Sequence, residues 1–79
     1  MTNKQQVYKS YLEEQLQWFR ERDSILEKME IKLYEMKKIA EYACEEELTS
    51  DEIGRLNFQL NKLKNDIQSL EKQLNGFVH

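Results

Sequence analysis

The chain has no proline, glycine only at positions 54 and 76, one cysteine (Cys44) and one histidine (His79) in 79 residues. With no proline and so little glycine, nothing from about Val7 to Glu46 interrupts a helix. A single cysteine excludes a disulfide within the chain, and one terminal histidine makes a His/Cys metal site within it implausible. No apolar run approaches the roughly 18 residues of a membrane span, and Met1 to Gln6 lack the apolar core of a signal peptide. Charge of one sign is lacking too. The net charge is −3 with both signs interspersed, which gives no general attraction to nucleic acid or to an anionic membrane. A lone thiol without an export signal points to the cytoplasm.

What is present is heptad spacing. Ile53, Leu56, Leu60, Leu63, Ile67, Leu70, Leu74 and Phe77 recur at alternating steps of three and four, which places them at a and d of a helix over about 50–75 and just beyond it. Its flanks are polar: Asn57, Gln59, Lys64, Asp66, Glu71 and Gln73. A stripe this narrow must lie against another helix. Glu, Lys, Leu and Gln dominate the remaining composition, and one third of the residues are charged, as in long helices and coiled coils.

The first helix is expected over about 5–46, with Thr2 or Asn3 available as its cap. Its a positions read Leu12, Phe19, Leu26, Leu33 and Ala40, all apolar. Its d positions read Tyr8, Gln15, Arg22, Met29, Met36 and Ala43. Tyr11, Trp18, Ile25 and Ile39 fall at g and Leu16 at e, so this stripe is wide enough for two neighbours. Ile31, Tyr34 and Tyr42 lie outside it, as scattered surface apolar residues often do.

Thr49 followed by Glu52 forms a capping box, and Leu48 with Ile53 has the spacing of a hydrophobic staple. Asp51 and Glu52 sit where the helix dipole favours negative charge. Continuing the first seam puts its next a position at Glu47, whereas the second begins at Ile53. Six residues are not a heptad, so one continuous seam cannot run through both helices; the reading is a hairpin with a turn at about 47–49, with one uninterrupted helix as the alternative. The expected fold is all-α: a single antiparallel helical-hairpin domain over 1–79 with coiled-coil-like packing, dimerising into a four-helix bundle. Matching Ala43 with Ile53 sets Phe19 against Phe77, and puts Asp66 beside Lys32 and Lys64 beside Glu30 but also Glu52 near Glu46 and Glu71 near Asp23, so the charges do not decide the register.

The second helix is too short to cover the first. A lone hairpin is therefore expected to leave Trp18, Ile25 and Ile39 wet, together with the overhanging Tyr8, Tyr11, Leu12 and Leu16. These residues and Phe19 form the expected interface for a second copy or an unidentified protein partner. Six carboxylates crowd positions 41 to 52 without a basic residue, but a calcium loop's alternating ligands and fixed glycine are absent. A solvated helix end accounts for them. The glutamates around Cys44 favour a protonated thiol, so it reads as a packing residue. No nucleophile–base constellation, glycine-rich loop or paired-carboxylate pocket can be assembled. No catalytic residue, metal or cofactor is expected, and the reading is of a non-enzymatic interaction protein.

In outline, such a hairpin resembles several classes of small bacterial helical hairpin: sporulation phosphatase regulators, flagellar export chaperones and the plasmid RNA-binding dimer. The resemblance is architectural. The Ser-x-x-x-Asp and Trp-x-Gly signatures of two hairpin classes do not occur, and the charge does not suit an RNA binder. A self-assembling structural coiled coil is the alternative, with an RNA-binding helical dimer third.

Overall fold

The computed structural model describes residues 3–77, so Thr2 and His79 lie outside the described residues. Two helices are present there, α1 (Asn3–Glu45) and α2 (Ser50–Asn75), folded against each other. The rod measures 70 × 18 × 15 Å, its long dimension set by α1 at about 64 Å.

α1 runs unbroken because nothing in it breaks a helix, and local pairs support its exposed face. Gln17 Nε2 donates to Glu21 Oε1 at 3.0 Å, and Lys37 and Lys38 lie 3.9 and 3.5 Å from the Glu41 carboxylate. No basic residue occupies its last turn, where Glu45 opposes the dipole, and the helix ends there.

Thr49 then caps α2 in extended conformation (φ −74°, ψ 163°), its hydroxyl accepting from the Glu52 backbone N–H at 3.2 Å. The expected return bond from the Thr49 backbone to Glu52 takes a different form. The Thr49 hydroxyl itself donates to Glu52 Oε1 at 3.2 Å, so both bonds run through one side chain. Thr49→Ala is expected to lose about 1 kcal/mol of stability, read as a lower urea midpoint with unchanged slope.

Gly54 carries no structural duty. It lies inside α2 with no positive φ, and an added Cβ would meet nothing within 4 Å. Gly54→Ala is accordingly expected to stabilise the protein by about 1 kcal/mol, visible as a higher melting temperature at fixed protein concentration. Gly76 ends α2, but in right-handed geometry (φ −63°, ψ −18°), not the left-handed one that favours glycine. Its N–H reaches the carbonyls of Lys72 and Gln73, and the Phe77 N–H reaches Leu74 at 3.0 Å, so the helix tightens as it runs out.

The seam of α2 is the heptad read from the sequence: Leu56, Leu60, Leu63, Ile67, Leu70, Leu74 and Phe77 are all buried or half-buried. Only Ile53, beside the turn, is left 46% exposed. The axial register is also as expected, since Lys32 Nζ lies 3.7 Å from Asp66 Oδ2. Lys64 and Glu30 form no such pair.

The face of α1 is different. Its buried and half-buried apolar residues are Trp18, Ile25, Met29, Met36 and Ile39, the g and d positions. Trp18, not Phe19, meets Phe77, edge to face at 5.8 Å between ring centroids. The expectation that a lone hairpin leaves Trp18, Ile25 and Ile39 wet is therefore corrected. Ile25, 8% exposed, and Leu63, 7% exposed, are the two buried residues among the described ones. With the g positions turned inward, Ile39 lines the groove beside the turn and Lys32 reaches Asp66.

Candidate interaction surface

Turning the g/d face of α1 inward turns its a positions outward. Leu12, Phe19, Leu26 and Leu33 are 44, 48, 36 and 53% exposed, seven residues apart, and Ala40 continues the line. In helical terms the line lies roughly a quarter turn from the midline that faces α2. A second helix can therefore lie along it without displacing α2.

At the far end from the turn, α2 stops level with Trp18, and residues 3–17 of α1 extend about 22 Å beyond it. Val7, Tyr8, Tyr11, Leu12 and Leu16 are all at least 44% exposed there. The sequence places Tyr8, Tyr11, Leu12 and Leu16 on this overhang, and the structure keeps them bare. Phe19 joins them at its base, stacked edge-on against Trp18 at 5.0 Å, and Arg22 lies 5.8 Å from the Trp18 ring centroid. The indole thus touches both Phe77 at the end of α2 and Phe19 of the uncovered line.

Leu26 and Leu33, read as part of the internal seam, join the uncovered surface instead. Phe58 is also outside, 71% exposed at f of α2, and no sequence signal singled it out. At the turn, Leu48, Ile53, Ala43 and Leu56 border one apolar groove. Cys44 is exposed, not the packing residue expected.

Electrostatics add little to the surface. Lys38 lies 5.2 Å from the Tyr34 ring centroid, and Tyr34, then Glu41, hold its pKa above the ordinary lysine value. That stabilising contribution is present at neutral pH and is lost only as pH rises through the raised value. Among the described residues no His/Cys/Asp/Glu cluster could hold a metal ion, and no helix is long and apolar enough to cross a membrane.

No protein-family model, no curated protein and no solved structure matches this chain.

Proposed function

We propose that the protein acts through protein–protein contacts and performs no catalysis: a helical hairpin that self-associates through α1 and presents its aromatic overhang to a protein partner. The observation that carries this reading is the uncovered apolar line on α1, continuous with the bare overhang. Its area supports the reading as well. The chain exposes 6910 Å², whereas a compact monomer of 9.6 kDa exposes about 5100 Å². The excess, about 1800 Å² per chain, is more than the roughly 800 Å² that each partner contributes to a standard interface. A dimeric four-helix bundle is the simplest assembly that shelters it. A cytoplasmic location belongs to the same proposal, because an exposed lone thiol at Cys44 suits a reducing compartment.

A self-assembling coiled coil with no other partner is the second reading, favoured by the same line but leaving the overhang without a role. Light scattering at micromolar concentration and affinity capture, each with wild type and the Tyr8→Ala/Tyr11→Ala variant, separate the two. Loss of a captured protein while the dimer survives supports the interaction protein. Capture of nothing by a dimeric wild type supports the structural reading, and a monodisperse monomer overturns self-association altogether. An RNA shifted at low salt would revive the third reading.

A further inference from the structure

We infer that the occupant of the exposed Leu12–Phe19–Leu26–Leu33 line is a second copy of this chain, lying parallel and in register with the first. The inference rests on the self-association proposed above and adds its geometry. Two independent features carry it: the apolar spacing and the charges flanking it.

Two parallel helices related by a two-fold along their length bring each a residue against its own counterpart. Five of the six a layers are then apolar: leucine on leucine at 12, 26 and 33, phenylalanine on phenylalanine at 19, alanine on alanine at 40, with glutamine on glutamine at 5 at the far end. The same symmetry carries the d edge of one helix to the e edge of the other. Arg22 is at d and Asp23 at e, and neither has an ion pair among the described residues. Each Arg22 therefore faces the partner's Asp23, twice, midway between the Phe19 and Leu26 layers.

Antiparallel helices related by a two-fold across their length bring like edges together. The alignment that matches Leu12 with Leu33 and Phe19 with Leu26 then sets Arg22 against Arg22, Asp23 against Asp23 and Lys9 beside Lys37. Sliding one heptad in one direction puts Leu33 against Gln5, and sliding in the other puts Glu30 beside Asp23. Only the parallel arrangement opposes no like charges and sets no apolar a residue against a polar one, since Gln5, also at a, meets its own copy, and like charges at such positions are what specify orientation in coiled coils.

The parallel dimer gathers both overhangs at one end, so that Tyr8 and Tyr11 of the two chains stand together there.

Directed cross-linking tests the geometry in the full chain, with Cys44→Ser as background because that thiol is exposed. The Ala40→Cys variant is expected to form a disulfide with itself, since a layers of a parallel pair fall within bonding reach. In the antiparallel alignment the two copies of position 40 are roughly 50 Å apart, and Ala40→Cys instead bonds to an added Gln5→Cys chain. The first bond supports the inference. A dimer giving the second bond, or neither, overturns it and leaves self-association standing, whereas a monomer by light scattering overturns both. As a second readout, Arg22→Asp is expected to weaken dimerisation about tenfold, and Arg22→Asp/Asp23→Arg to restore it. An unchanged single variant counts against the parallel pair.

Discussion

Replacing Leu63 by alanine is expected to cost the hairpin about 2–5 kcal/mol, the largest stability loss available at one position. Leu63 is 7% exposed, the lowest value among the described residues, and sits near the middle of the α2 seam. Small domains have about 5–15 kcal/mol in all, so the variant should lose much of its helicity at room temperature. Urea denaturation followed by circular dichroism at one fixed protein concentration is the measurement. Phe58→Ala is its control: Phe58 is 71% exposed, and removing it should change stability by less than about 0.5 kcal/mol. A Leu63 variant that unfolds no more easily than the Phe58 one would mean that the two helices do not pack as described.

Leu26→Asp should act on assembly. The residue is 36% exposed within the hairpin, so a carboxylate there stays hydrated in a single protomer. In a dimer built on the a line it is buried near the centre, opposite its own copy. The penalty of an unpaired buried charge is at least about 3 kcal/mol, more than a hundredfold in dissociation constant. Sedimentation equilibrium should find monomer at concentrations where wild type is dimeric. Trp18 should still report its contact with Phe77, because that contact lies within the protomer. A variant that dimerises as tightly as wild type would remove the a line from the interface.

How much of this was legible in the chain depends on which coordinate is asked for. The position of each residue along the hairpin was readable, because the Thr49 cap and the Leu48–Ile53 staple place the bend, and a bend fixes the register of two rods. The Lys32–Asp66 pair follows from that placement alone. The face of α2 was readable as well, since its one narrow stripe leaves no choice. The rotation of α1 was not. Its a positions are the more uniformly apolar set and so present themselves as the internal seam, yet α2 packs on g and d, accepting Lys32 within that face. Two apolar lines on one helix can be exchanged without changing any spacing in the sequence. The choice between them lies in how side chains on the two helices fit, which periodicity does not record. The overhang residues were identified because their exposure depends only on the unequal lengths, whereas Leu26 and Leu33 depend on the rotation and were missed.

The Trp18–Phe77 contact has a kinetic consequence. It joins the end of α2 to the matching level of α1, the point of the hairpin most distant in sequence from the Thr49 bend. A chain that nucleates at the bend and closes outward, gaining its nearest neighbours first, makes this contact last. In a chain that closes that way, the protein's one indole would report the last step of closure with no label attached.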